Sequence, residues 1–265
     1  MTAQTRTTTS TDGTTIAYQA FGGGPAVVVV GGATNRKEDW IELAQALASE
    51  GFTGVTYDRR GRGDSGDTRP FAVEREVEDL VAVIEAVGAP AGVHTISSGG
   101  AVAYRAIAAG APIATLSAFE TPYRVAGAPS PPAEYTDHLQ QLYDADRRSD
   151  MLAYFMTAGV GQPEEAVEQM RQMPFWDDLA QLGPTVLYDG LQLGGGGTPL
   201  PTELLETIDV PVLCIASTGS PDWLRDAASA AADAVPDGTF TVLEGEFHSA
   251  PTAVVAPVLA AHHRR

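Results

Sequence analysis

The chain has 265 residues, 44% of them hydrophobic, and a formal net charge of −18. That length supports one large α/β domain or two small ones around a substantial core, and so negative a charge argues against a nucleic-acid partner, whose phosphates demand clustered Lys and Arg. No apolar run reaches the ~18 residues of a membrane span, the polar N-terminus lacks the apolar region of a signal peptide, and a single cysteine, Cys214, leaves no internal disulfide and no cysteine-based metal cluster, so a cytoplasmic protein with no membrane partner is expected.

Residues 5–22 read as a β-hairpin, Thr-rich on its first arm and turned at Asp12-Gly13. Gly22-Gly23-Gly24-Pro25 breaks the chain, and residues 26–30 form a β-branched run expected of a central strand buried on both faces. It ends in Gly31-Gly32-Ala33. A helix follows near 38–49, with Trp40, Leu43 and Leu47 on one face. Residues 54–58 are a short strand, and 74–87 an amphipathic helix stopped by Gly88. Next comes a strand that stops abruptly at Ser97, a helix over 99–109, and a strand over 113–119 ending at Glu120.

The alternation then changes. Residues 122–206 are rich in Pro, Tyr and Met and carry helical patterns without a clear buried strand. Strand and helix resume at 210–216, 222–234, 239–243 and from about 250. Alternation on both sides of the middle block predicts an α/β fold with a mostly parallel sheet flanked by helices. The core is expected from 1–121 and 207–265, with 122–206 inserted as a helical cap over the C-terminal edge of the sheet, the edge where ligands bind in open α/β sheets.

Two motifs are decoys. Gly61-Arg62-Gly63-Asp64-Ser65-Gly66 matches G-x-G-x-x-G, but Asp67-Thr68-Arg69-Pro70 follows and no helix opens on the third glycine to receive a phosphate. Arg62-Gly63-Asp64-Ser65 resembles an adhesion tetrapeptide, which has no use in a chain without an export signal.

The chemistry centres on Val93-His94-Thr95-Ile96-Ser97-Ser98-Gly99-Gly100. A turn from strand straight into helix strains its central residue and lifts that side chain clear of the sheet, provided its neighbours are small. Gly99 and Gly100 meet that need; Thr95 stands where G-x-S-x-G has glycine. Centring the turn on Ser98 would place Ile96 at the crowded position, so Ser97 is the candidate nucleophile. The plain alternative is a serine that only caps the following helix. A serine nucleophile needs a base. His94 lies within the strand and reads as structural, His138 falls in the insert, and His262 and His263 lie in a basic tail expected to be solvated. His248, in a loop just past a late strand, belongs to the same sheet edge as Ser97.

With the Gly31-Gly32 turn, the loop Asp58-Arg59-Arg60-Gly61-Arg62-Gly63-Asp64-Ser65, the elbow at Ser97 and the late His248 in that order, the chain resembles the α/β-hydrolase fold family, in its small, capped form common in actinobacteria. The resemblance spans nearly the whole chain and implies a serine hydrolase, carboxylesterase-like, acting on an ester or related acyl bond through a Ser-His-acid triad. Many family members carry the acid after the strand that follows the cap; Ser220 holds that position here, with Asp222 two residues beyond. Hydrolase-fold dehalogenases use a glutamate after the strand that follows the nucleophile helix, where this chain has Glu120. The implied triad is Ser97, His248 and Glu120, with Asp222 the alternative acid and an ion pair with an arginine such as Arg124 the plain alternative for Glu120. The resemblance also implies an oxyanion hole from the backbone N–H groups of Ala33 and Ser98, although Gly31 replaces the family's usual histidine before the second glycine.

The methionines Met151, Met156, Met170 and Met173, with Tyr135, Tyr143, Tyr154, Phe155, Phe175, Trp176 and Tyr188, would suit an apolar, adaptable pocket for a small apolar substrate, though packing of the insert accounts for at least half of them. Gly194-Gly195-Gly196-Gly197 reads as a connector at the end of the insert. No organic cofactor and no metal is implied. Thr95 and Ser220 leave open two other uses of the fold: a non-hydrolytic cyclase or lyase, and a small-molecule receptor.

Overall fold

A computed structural model describes residues 4–195 and 197–265; Met1 to Ala3 of the N-terminus, and Gly196 of the glycine connector, lie outside them. The strands are β1 (Arg6–Thr9), β2 (Thr15–Gly22), β3 (Ala26–Val30), β4 (Thr53–Tyr57), β5 (Ala91–Ile96), β6 (Ile113–Phe119), β7 (Val212–Ser217) and β8 (Gly238–Leu243). They form one sheet in the order β1-β2-β4-β3-β5-β6-β7-β8. β1 and β2 are antiparallel, β2 pairs antiparallel with β4, and all remaining pairs are parallel. This is the α/β-hydrolase arrangement the sequence predicts.

The order follows from residue pattern. In β3 every residue is buried, and its alternating side chains feed two cores. Val28 and Val30 join a cluster with Leu80 and Ile84 of α2 (Val73–Val87), Val102 and Tyr104 of α3 (Gly99–Ala108), and Ala228 and Ala231 further along the chain. Val27 and Val29 face the other way, toward Leu43 and Leu47 of α1 (Ile41–Ser49) and toward Val255 and Leu259 near the C-terminus. The helix expected over 38–49 is a 3-10 turn, Lys37–Trp40, followed by α1.

Between β6 and β7 lie α4 (Tyr135–Asp144), α5 (Arg148–Tyr154), α6 (Glu164–Arg171), α7 (Trp176–Ala180), α8 (Gly183–Gln192) and α9 (Thr202–Leu205), with a π turn at Phe155–Gly159. Two small apolar clusters hold α4 to α8 together, one around Leu139, Met151 and Val186, the other around Leu152, Met156 and Trp176, while Leu205 of α9 joins the first core. After β7, α10 (Asp222–Ala234) covers the first core and α11 (Thr252–His263) the second.

α11 corrects one expectation. His262 and His263 are buried, not solvated. His262 Nε2 lies 2.9 Å from the Leu116 carbonyl oxygen, and His263 bonds the Thr115 and Ser117 hydroxyls at 2.7 and 3.0 Å. α11 runs its last turn under β6, so the chain end lies against the sheet. His94 joins the same cluster through Ser117 Oγ at 2.9 Å, as its structural reading implies. Cys214 is buried, with the Tyr104 hydroxyl 3.5 Å from its sulfur.

The two decoys also have a structural account. The loop after β4 wraps around Asp58, which accepts the backbone N–H groups of Lys37 and Asp64 and the Lys37 ammonium, so it encloses its own carboxylate. Arg62 is fully buried and donates to Asp189 at 2.7 Å, out of reach of any receptor.

Candidate active site

Ser97 closes β5 with φ at 55°, a left-handed conformation that costs a non-glycine residue free energy. Its N–H donates to the Phe119 carbonyl at 2.9 Å, which holds the turn against β6. Space for this turn comes from three glycines. A Cβ on Gly32 would come within 2.8 Å of the Ser97 Cβ, one on Gly99 within 2.5 Å of the Val30 carbonyl oxygen, and one on Gly100 would run into the Thr121 side chain. Thr95 lies two residues before Ser97, inside β5, fully buried, with its hydroxyl 3.5 Å from the Ser117 carbonyl, so its bulk is taken up by the sheet.

Glu120 stands at the end of β6, completely buried and also at positive φ (46°). One carboxylate oxygen lies 2.7 Å from His248 Nδ1; the other accepts the Ser217 N–H at 2.7 Å from the end of β7. His248, at φ 54°, donates its backbone N–H to Ser220 Oγ at 2.9 Å. Ser220, at the position where many relatives carry their acid, thus anchors the histidine loop. Asp222 is 88% exposed and pairs with Arg225. The structure therefore brings Glu120 to His248 and leaves Asp222 at the surface. Arg124 forms no ion pair with Glu120.

Positive φ at non-glycine residues is concentrated here. Of the six among the described residues, Thr34, Ser97, Thr198 and His248 line one cavity and Glu120 touches His248; only Asp146 lies elsewhere. Strain gathered in this way points to a functional site. The cavity has a volume of about 270 Å³, with Ser97, Ser98, Ala33 and His248 in its wall. The rest is largely apolar: Trp40, Ile96, Phe155, Leu193, Trp223 and Phe247. Of the methionines and aromatics predicted for a pocket, Tyr135 and Phe155 reach it, whereas Met151, Met156 and Trp176 pack within the helical segment and Tyr188 stacks on Phe71 at 4.0 Å.

The Gly31-Gly32-Ala33 turn is fixed from two sides. Gly32 donates its N–H to Asn35 Oδ1 at 2.8 Å, and the Gly31 carbonyl accepts from Arg59 Nη1 at 3.1 Å. Among the described residues, the backbone N–H groups of Ala33 and Ser98 have no acceptor. Arg59 is the hub of a buried ion network. It pairs with Glu76 at 2.7 Å and with Asp189 of α8 at 2.8 Å, and it donates to Ser98 Oγ at 3.1 Å. Ser98 Oγ in turn donates to Asp189 at 2.7 Å. Burial would raise the Asp189 carboxyl, but the Arg62 and Arg59 charges outweigh it and hold the group below the usual carboxylate range. Sequence reading missed Asp189, Asn35 and Trp223, whose roles depend on contacts between distant segments. Among the described residues, no cluster of three or more His, Cys, Asp or Glu side chains could hold a metal ion, and no helix is long and apolar enough to cross a membrane.

Comparison with known proteins agrees with this architecture. The chain is 28% identical over 263 residues to a bifunctional esterase/perhydrolase, DCH, from Acinetobacter calcoaceticus, covering 92% of this chain and 93% of that protein. Its fold matches the crystal structure of an alpha/beta hydrolase from Sphaerobacter thermophilus at 42% identity and a TM-score of 0.88, over 97% and 99% of the two chains. A thermophilic esterase from Thermogutta terrifontis, 22% identical, shares the fold with a TM-score of 0.70 over 99% and 95% of the chains. The sequence profile of the alpha/beta hydrolase family matches residues 27–257, and the chain belongs to that family.

Proposed function

We propose that the protein is a serine esterase, which cleaves an ester or related acyl bond of a small molecule through Ser97, His248 and Glu120. The observation that carries the reading is the 2.7 Å contact between His248 Nδ1 and the buried Glu120 carboxylate, in a cavity that also exposes Ser97. A carboxylate facing Nδ1 fixes that nitrogen as the protonated one. Nε2 is then the free base for the Ser97 hydroxyl.

The steps follow from these groups. Ser97 Oγ attacks the acyl carbonyl as His248 takes its proton, and Glu120 stabilises the imidazolium that forms. The oxyanion is met by the N–H groups of Ala33 and Ser98, held rigid by the Asn35 and Arg59 contacts. His248 returns the proton to the leaving alkoxide, and the alcohol departs. Water then attacks the acyl-enzyme with His248 again as base, releasing the acid and restoring Ser97. The helices between β6 and β7 act as a cap that supplies one wall of the cavity through Tyr135 and Phe155. The esterase half of the name of the Acinetobacter relative supports the same reaction class.

The test is hydrolysis of short 4-nitrophenyl esters by the intact protein and by Ser97→Ala and His248→Ala. Hydrolysis by the wild type and loss in both variants is expected. Turnover that survives Ser97→Ala would overturn the covalent mechanism. Ligand binding without any turnover would favour a receptor.

A further inference from the structure

Arg124 follows β6 by a few residues and is clamped by its backbone: its N–H donates to the Thr198 carbonyl at 2.8 Å, and its carbonyl accepts from Leu200 at 3.2 Å. Its side chain lines the same cavity as Ser97 and His248. The guanidinium carbon lies 3.9 Å from the centroid of the Trp223 ring. Nη2 reaches the Gly159 carbonyl only at 3.5 Å, the limit of a hydrogen bond. Nε and Nη1 are buried without any acceptor, and among the described residues no carboxylate comes within 4.0 Å of the group.

This is anomalous in a chain of net charge −18. Arg59, Arg60 and Arg62, which are fully buried, each reach a carboxylate at 2.7 Å, whereas half-buried Arg124 and Arg105 reach none among the described residues, and of these two only Arg124 lines the cavity. A cation with two of its three nitrogens closed off from water and given no acceptor is costly, and such an unsatisfied group calls for an explanation. Burial draws the Arg124 pKa down to about 10, which still leaves it charged at neutral pH. The missing partner is an anion, and the cavity is where it would enter. A carboxylate fits best. The planar guanidinium matches it, the cavity is small, and no other Lys or Arg lines it to balance a phosphate dianion.

We propose that Arg124 binds a carboxylate of the substrate, distinct from the scissile carbonyl, so that the preferred substrate is a monoester or related acyl derivative of a small dicarboxylic acid. The inference rests on the esterase reading for its turnover and on Arg124 alone for its binding. Trp223 holds the guanidinium in place by stacking and closes one side of it to water.

The experiment compares 4-nitrophenyl hydrogen glutarate with 4-nitrophenyl pentanoate, an uncharged ester of similar length. The ratio of their kcat/KM values is the readout, because a general loss of activity cancels in it. The wild type is expected to favour the carboxylate-bearing ester by about tenfold or more, and Arg124→Gln to collapse that ratio, mainly through KM, with Arg124→Lys recovering part of it. In parallel, calorimetry measures binding of monomethyl glutarate and of uncharged dimethyl glutarate to Ser97→Ala, with and without Arg124→Gln. Binding of the monoanion that depends on Arg124 supports the carboxylate site even if no ester is cleaved, in which case the esterase reading alone fails. A wild-type ratio that favours the pentanoate, or one that Arg124→Gln leaves unchanged, would overturn the proposal, as would monoanion binding that ignores Arg124.

Discussion

Glu120 and His248 meet at 2.7 Å across 128 positions of sequence, each at the end of a different strand-loop unit and each at positive φ. The second Glu120 oxygen is held by the Ser217 N–H, so the carboxylate cannot swing away from the ring. Exchange of that charge for a neutral amide removes the stabilisation of the imidazolium and the choice of tautomer. Glu120→Gln is expected to lower kcat by about 10³–10⁴. Asp222→Asn, at an exposed site paired with Arg225, should leave kcat within about twofold, surface changes being small. Steady-state kinetics on one 4-nitrophenyl ester check both, and the reverse ranking would reassign the acid.

Asp189 joins α8 to the turn at Ser97 and Ser98. It faces Arg59, Arg62 and Ser98, and all four are buried. Asp189→Ala leaves Arg59 its pair with Glu76 but takes from buried Arg62 its one close carboxylate, with Glu76 only at 4.0 Å, so a loss of about 3 kcal/mol is expected, at least about 6 °C in Tm for a chain of this size. Thermal unfolding followed by circular dichroism measures it. A shift of only about 1 °C would mean that the network adds little to stability.

The histidine cluster beneath the sheet gives the protein an acid-sensitive stability. Burial lowers the His94 pKa to about 3, and it lowers those of His262 and His263 as well. Above the ordinary histidine value of 6.5 all three are neutral in folded and unfolded chains alike and contribute no pH dependence. Below it the unfolded chain takes up protons that the folded chain refuses, so stability falls as pH drops from 6.5 toward the folded values. Each histidine adds up to about 1.4 kcal/mol per pH unit across that window. Chemical denaturation between pH 7.5 and 5 should show this slope, and His94→Asn should lessen it. A flat profile over that range would contradict the buried neutral cluster.

Much of the candidate site was legible because topology, not detail, brings its residues to one edge of the sheet. Alternating strands and helices put the ends of β5 and β6 and the loop after β8 at one edge, so Ser97, Glu120 and His248 could be read as a set. Thr95 shows where a motif misleads: the turn depends on Gly32, Gly99 and Gly100, and Gly32 lies far outside the elbow sequence. His262 and His263 misread for a related reason. A basic chain end looks solvated until α11 is seen to pack under β6. Arg124 and Trp223 could not be paired from sequence, since their contact joins the segment after β6 to the first turn of α10.

The central claim, that Ser97 is a nucleophile activated by His248, is tested most directly by covalent capture. The intact protein is treated with a fluorophosphonate directed at activated serines, and the modified peptide is located by mass spectrometry. A single adduct on Ser97, absent in Ser97→Ala and strongly slowed in His248→Ala, is the predicted result. An adduct on another residue, or labelling that persists in Ser97→Ala, would contradict it.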